Sequence, residues 1–366
     1  MHRQGESASI TGVKVSAYCI PTDQPEADGT LEWDHTILVL AEAEAGGKTG
    51  IGFTYADKAT AVFIEQLLAK KIANHDAFDI RGCWLAMVRA IRNLGRPGVS
   101  SMAISAVDIA LWDLKAKLLG LPLVKLIGEV RESAPIYGSG GFTSYSIAKL
   151  SEQLGGWVAE GIPRVKMKIG SHPAQDPERV KAARGAIGAA ELFVDANGAY
   201  DRKHALILSE IYAAQGVRWF EEPVSSDDLE GLRVMRDRAP AAIEIAAGEY
   251  GYDLWYFRRM LDAGAVDVLQ ADATRCGGIS GFLGVGELCA ARSMPLSGHC
   301  APSVHAHPCC ALAPLRHLEY FHDHARIEHM LFDGALNPSG GALTPDRSRP
   351  GLGLEFKRQD AARYAI

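Results

Sequence analysis

The sequence predicts a parallel α/β barrel preceded by an α+β module, and three observations carry that expectation. From Ala134 onward, short apolar runs alternate with helical stretches over about 200 residues, the texture of a parallel α/β protein. A polar functional residue ends one run after another: Lys166 and Lys168, then Asp195, Glu221, Glu249, Asp272, His299 and Glu319. From Lys168 on, their spacing is about 20 to 28 residues, the length of one strand, one helix and two loops, so in a (β/α)8 barrel all of them surround one pocket. Ahead of Ala134, two β-type runs followed by helices read as a separate α+β module.

The elements follow in order. Residues 13–20 and 35–45 are β-type runs, with a polar loop at 21–34 and a Gly-rich turn at 46–52. Beyond Ala59 the pattern is helical. Ile104, Val107, Ile109, Leu111, Leu114 and Leu118 mark a largely buried helix over 102–119, which Gly120 and Pro122 end. Residues 1–133 form the first module and 134–332 the barrel. In the barrel, 163–169, 192–195, 217–220, 243–247 and 266–271 read as buried strands. Asp176-Pro177-Glu178 supplies an N-cap, an N1 proline and an acidic first turn, and Ala205, Leu208 and Tyr212 share one helix face. The Gly- and Pro-rich segment 333–366 runs back over the first module.

Composition frames the function. The 366-residue chain is 48% hydrophobic and 22% charged, ordinary for a soluble globular protein. A net charge of -6 with no basic cluster argues against nucleic-acid binding. No apolar run is long enough to span a membrane, and residues 1–10 lack the apolar core of a secretory signal. Seven cysteines without a framework indicate a reducing cytoplasm, with Cys309 and Cys310 as small core residues.

Chemistry follows from the strand ends. Lys166 and Lys168 lie two apart on a strand and face the same way, inward in a barrel. Two ammonium groups that close repel, which lowers the pKa of one and makes it a competent base near neutrality. Asp195, Glu221 and Glu249 end three successive strands. Three inward carboxylates need a cation to stay ionised, and an oxygen-only set suits a hard ion, Mg2+. Glu222 has the opposite strand parity and takes a supporting role. Asp272 beside His299 fixes the imidazole tautomer and raises its basicity, giving a second acid/base group. Glu319 closes the ring as a protonated or hydrogen-bonding partner of the substrate. A zinc site built from His299, Cys300, His305, His307, Cys309 and Cys310 matches no standard motif, although His305 and Cys309 share a helix face.

These residues fall in a recognisable arrangement. Lys166-Met167-Lys168, Asp195-Ala196-Asn197, Trp219-Phe220-Glu221-Glu222-Pro223, Gly248-Glu249, Asp272 with Gly277-Gly278, and Gly298-His299 together resemble the enolase superfamily, specifically its mandelate racemase group. The helix Ala103-Ile104-Ser105-Ala106-Val107-Asp108-Ile109-Ala110-Leu111-Trp112-Asp113-Leu114 is similar to that group's N-terminal signature. The resemblance covers essentially the whole chain. It implies a modified (β/α)7β barrel under an N-terminal α+β capping domain that the C-terminal tail completes. It also implies Mg2+-dependent removal of the proton α to a carboxylate, through an enediolate, and a homo-oligomer. By correspondence, Lys168 is the base on one face and His299, oriented by Asp272, acts on the other. Lys166 contacts the substrate carboxylate, while Asn197 and Glu319 bind substrate oxygens.

A lysine and a histidine on opposite faces can racemise a 2-hydroxy acid or dehydrate an acid sugar. The polar residues Thr22, Asp23, Gln24, Glu26, Asp28, Glu32 and Asp34 around Trp33, with Tyr55 on the second cap loop, suit a polyol substrate better than an aryl one. The expected activity is therefore acid-sugar dehydration. Racemisation or epimerisation is the alternative, and a catalytically silent carboxylate binder is the reading from a different class.

Overall fold

The computed structural model describes residues 8–366, so the reading of residues 1–10 against a secretory signal falls largely outside it. Three antiparallel strands, β1 (Ile10–Ala27), β2 (Glu32–Ala45) and β3 (Lys48–Tyr55), open the chain in the order β1-β2-β3. The long buried helix Val99–Leu119 packs across β3 and β2 and ends at the left-handed Gly120. Two sequence expectations change here. The polar loop at 21–34 is mostly hairpin: β1 continues to Ala27, with a register break between Pro21 and Glu26. Only its tip turns, where Asp28 Oδ1 accepts from the amides of Thr30 (2.6 Å) and Leu31 (2.8 Å). This ribbon extends beyond the cap's apolar core, so it lacks the apolar alternation that marks a strand in sequence. The Gly-rich turn at 46–52 is likewise a turn at Gly46 and Gly47 followed by a strand. Gly50 and Gly52 serve close packing instead: a Cβ there would stand 2.2 Å from Ala110 O and 2.3 Å from Ala106 O, respectively.

Eight parallel strands then close into a barrel, β11 pairing back to β4. They are β4 (Ala134–Gly140), β5 (Arg164–Lys168), β6 (Glu191–Asp195), β7 (Val217–Glu221), β8 (Glu244–Ala247), β9 (Val268–Ala271), β10 (Leu296–Gly298) and β11 (Leu315–Phe321). Alternation divides each strand between two surroundings. Val165, Met167, Leu192, Val194 and Phe220 join the core between barrel and helices. Tyr137, Phe193, Trp219, Ala246 and Val268 fill the interior. Phe193 and Trp219 stack at 5.3 Å, which floors the space above them. Asp176 differs from expectation. It is the first residue of the helix Asp176–Ile187, not its cap, and its side chain accepts from Gly170 N (2.9 Å) and Tyr200 Oη (2.7 Å).

The segment after Leu331 ties both layers together. Ala342–Leu343 pairs antiparallel with Ala134 and Pro135 at the start of β4. Leu352, Leu354 and Ala361 join Ile20, Leu38 and Leu40 of the cap in one apolar cluster. Leu352 N donates to the buried Asp113 Oδ1 at 2.7 Å, and Ile366 N to Ala17 O at 3.1 Å. Among the described residues, no helix is long and apolar enough to cross a membrane.

Candidate active site

Strand parity aims the polar residues inward above the aromatic floor. Phe193 and Asp195, Trp219 and Glu221, and His317 and Glu319 alternate on the same sides of β6, β7 and β11, and Lys166 and Lys168 do so on β5. Glu249 falls one residue out of phase with the inward Ala246. Gly248, at φ 139°, resets the phase, and a Cβ there would stand 2.1 Å from Gln270 O. Four of the six non-glycine residues with positive φ among the described residues lie within three residues after these strand ends: Asn197, Glu222, Cys300 and Ala301. Backbone strain is thus concentrated where the side chains converge.

The lysines are embedded among carboxylates. Lys166 Nζ lies 2.6 Å from Glu221 Oε1, 2.8 Å from Glu319 Oε1 and 3.4 Å from Asp195 Oδ2. Lys168 Nζ lies 2.5 Å from Asp195 Oδ2 and donates to Asn197 Oδ1 at 3.1 Å. This corrects the expectation of a lysine made neutral by its neighbour. Burial pulls both ammonium groups down, but Glu221 and Glu319 at Lys166, and Asp195 at Lys168, outweigh burial and hold both above the ordinary lysine value. At Glu319 burial raises the carboxyl, but Lys166 and His299 outweigh that and hold it low, which goes against the protonated form of its expected role and not against the hydrogen-bonding one.

Oxygens of Asp195, Glu221 and Glu249 lie within 4.8 Å of one another, and all three residues are buried. Burial and the charge of Asp195 push Glu221 up to about 8. Glu249 Oε2 is buried without a hydrogen bond. An all-oxygen donor set with an orphaned carboxylate oxygen fits a hard divalent cation. Glu222 is buried beside this set, where burial and Glu249 push its carboxyl well above the ordinary range.

His299 faces the set from β10. Its Nδ1 pairs with Asp272 Oδ2 at 2.9 Å, and Asp272 Oδ1 is fixed by Thr274 N and Oγ1, each at 2.7 Å. Burial lowers the imidazole, but Cys300, Glu249, Glu319 and Asp272 raise it well above the ordinary histidine value. The wider zinc cluster does not assemble. Both His305 nitrogens are taken, Nε2 by Ala273 N (2.7 Å) and Nδ1 by Ala301 O (3.1 Å), and His307 Nε2 is bonded to Leu352 O. Cys309 and Cys310 are buried core residues.

The cavity over these groups measures about 400 Å3, and Trp33, Tyr55, Lys168, Asn197, Glu249, His299 and Glu319 all line it. Trp33 is fixed by Nε1 donating to Glu26 Oε2 (2.9 Å) and by an edge contact with Phe142, so the cap hairpin touches the barrel. Arg275, Tyr250 and His324 are among the lining residues to which the sequence assigned no role. Arg275 reaches Glu249 Oε1 (3.4 Å) and Asp272 Oδ2 (3.6 Å); it stands inside the Asp272 motif, which was the available signal. Tyr250 follows Glu249 directly. His324 stacks on Tyr55 with ring centroids 3.5 Å apart, and nothing in its helical surroundings marks it.

Residues 21–128 match the family described as mandelate racemase / muconate lactonizing enzyme, N-terminal domain, and residues 149–361 match enolase C-terminal domain-like. A mandelate racemase/muconate lactonizing enzyme-like protein from Rubrobacter xylanophilus has 56% identity and a TM-score of 0.96, covering 98% of this chain and 100% of that one. The L-talarate/galactarate dehydratase of Salmonella typhimurium, solved with Mg and L-lyxarohydroxamate, has 30% identity and a TM-score of 0.89 over 100% of this chain and 95% of that one. The 3,6-anhydro-alpha-L-galactonate cycloisomerase of Streptomyces coelicolor is 31% identical over 95% of this chain and 98% of its own length.

Proposed function

Because this chain belongs to the mandelate racemase/muconate lactonizing enzyme family of the enolase superfamily, we propose that it is a Mg2+-dependent acid-sugar dehydratase yielding a 2-keto-3-deoxy acid. One observation carries the reading: Lys168 and His299 line one cavity together with Glu249, a member of the buried three-carboxylate set. Asp195, Glu221 and Glu249 would hold a divalent cation, whose positive charge would act at the substrate carboxylate and would offset the negative charge that otherwise keeps the lysines protonated. Lys168 or His299 takes the α-proton, the one chosen being set by the substrate's stereochemistry. Lys166 donates to the carboxylate oxygens as the C–H electron pair moves onto them. That pair then expels the 3-hydroxyl, which leaves as water after the opposite acid/base group gives it a proton. The resulting enol tautomerises to the ketone. Asp272 keeps Nε2 of His299 turned toward the cavity, and Asn197 binds a substrate oxygen.

Charge along the cavity narrows the substrate. Its lysine and arginine, Lys168 and Arg275, stand at the barrel end with Glu249 and Glu319, whereas Asp28 and Asp57 line the cap end with His35, beside Trp33 and Tyr55. A second carboxylate carried to the cap end meets like charge there. The reading is therefore an acid sugar with one carboxylate and a hydroxylated or deoxygenated far end. Proton NMR in deuterated buffer with Mg2+, over matched mono- and diacid sugars, tests both statements. The expected outcome is growth of a 3-deoxy methylene with monoacids and at least tenfold slower turnover of the diacids. Faster diacid turnover removes the charge argument and leaves dehydration standing. Deuterium entering the α-position with an intact skeleton moves the assignment to a racemase or epimerase, the reading that the same pair of bases also supports.

A further inference from the structure

Beside the carboxylate set, with His299 Nε2 3.4 Å from Glu249 Oε2, the cavity carries a second group of donors of a different kind. His299 Nε2 stands 3.4 Å from Cys300 Sγ, Cys300 Sγ 3.4 Å from Glu319 Oε2, and Glu319 Oε2 3.5 Å from His299 Nε2. Nitrogen and oxygen ligands at about 2.0 Å and sulfur at about 2.3 Å around a tetrahedral ion stand roughly 3.3 to 3.6 Å apart, so this triangle already has the size of a zinc site. All three residues are buried, yet all three line the cavity, which leaves an entry path and a fourth position.

Backbone strain makes the triangle possible. Consecutive residues of an extended strand point to opposite faces, so Cys300 would ordinarily turn away from His299. Left-handed φ values at Cys300 (53°) and Ala301 (38°) fold the thiol back beside the preceding imidazole. The other His299 nitrogen is held by Asp272 at 2.9 Å, the carboxylate–histidine support that metal-ligating histidines generally have. Glu319 keeps Oε1 on Lys166 and presents Oε2 to the triangle.

We propose that His299, Cys300 and Glu319 form a binding site for a thiophilic divalent cation of the Zn2+ class, separate from the Asp195–Glu221–Glu249 set. Sulfur and imidazole select Zn2+ over Mg2+, while the all-oxygen set selects the reverse, so the two ions occupy neighbouring sites. Burial and Glu319 push the Cys300 thiol up, so it carries its proton until the ion arrives. Binding breaks the S–H bond of Cys300 and the Nε2–H bond of the protonated His299, forms the metal–sulfur and metal–nitrogen bonds and releases both protons to solvent. The ion takes the Nε2 lone pair of His299 and thereby shuts off the acid/base group on that face.

Spectroscopy tests the site without any substrate. Protein saturated with Mg2+ is titrated with Co2+, a coloured substitute for Zn2+. The expected result is one equivalent of Co2+ with a thiolate-to-metal charge-transfer band in the near ultraviolet, erased by Zn2+. Cys300→Ser loses the band, and Cys19→Ser and Cys309→Ser keep it. Absence of the band in the unsubstituted protein, or its survival in Cys300→Ser, overturns the proposal. Should Cys300→Ser fail to fold, X-ray absorption of the Zn2+-loaded unsubstituted protein decides: one sulfur at about 2.3 Å supports the site, and a shell of oxygen and nitrogen alone overturns it.

Discussion

At Lys168 the ammonium touches Asp195 and Asn197 together, and at His299 the ring is clasped by Asp272, so each proposed acid/base group is oriented by a fixed neighbour. Lys168→Ala and His299→Asn are each expected to lower turnover by at least about 100-fold, the usual worth of a positioned general acid or base. They should part company in solvent exchange. Only the variant that retains the base facing the α-hydrogen still washes deuterium into a given stereoisomer, and intact turnover in either variant ends the two-base account. Residue identity and strand-end position were readable because parity on a strand depends on sequence alone. Charge state was not. Counting Lys166 against Lys168 omitted Glu221 and Glu319, whose distance from Lys166 is set by barrel closure and which arrive 55 and more residues later. The orientation of Cys300 was hidden for a similar reason, since it follows from a φ value that its sequence neighbours do not announce.

Among the elements, β3 and the helix Val99–Leu119 meet through glycine. Gly50→Ala places a methyl against the backbone of Ala110 and Leu114 and is expected to cost about 1–3 kcal/mol. Gly12→Ala, whose Cβ meets nothing within 4 Å, should leave the thermal midpoint nearly unchanged. A melting curve of each variant checks the contrast, and equal midpoints would remove the packing role. The same helix presents Asp108 to Ser280, with Oδ1 accepting from Oγ at 2.7 Å and Oδ2 from N at 2.9 Å. Burial raises this carboxyl from 3.8 to about 7, against the hydrogen bonds from Ser280. Its contribution to stability is therefore complete below the unfolded value and lost as pH rises through about 7. Asp108→Asn, which mimics the protonated form, should become progressively less destabilising across that window; a pH-independent difference in melting temperature contradicts the assignment. The buried helix and the barrel strands were legible because burial leaves long apolar patterns. The hairpin tip and β3 were not, since their glycines and polar residues look the same in a turn as in a strand pressed against a helix or reaching past the core.

For the whole molecule, three buried carboxylates that converge from separate strands are expected to make stability depend on a bound cation. Chelation should abolish activity and lower the melting temperature, and Mg2+ should restore both; a chelator without effect on either removes the metal from the account. Architecture was legible at this scale because strand–helix alternation repeats many times, whereas the reach of the cap hairpin onto the barrel depends on contacts such as Trp33 with Phe142 that no local pattern encodes. The returning tail has a further consequence, for the order of events as the chain is made. Glu42 is paired by Arg358, 316 residues later, and Asp113 receives the amide of Leu352, 239 residues later. Contacts separated so widely in sequence form slowly. During synthesis β1 to β3 and their long helix leave the ribosome first, yet their barrel-facing side stays uncovered until nearly the whole barrel has followed. The cap is thus the earliest part to be translated and among the last to be sealed, and for that interval its exposed apolar face is the surface a chaperone would have to shield.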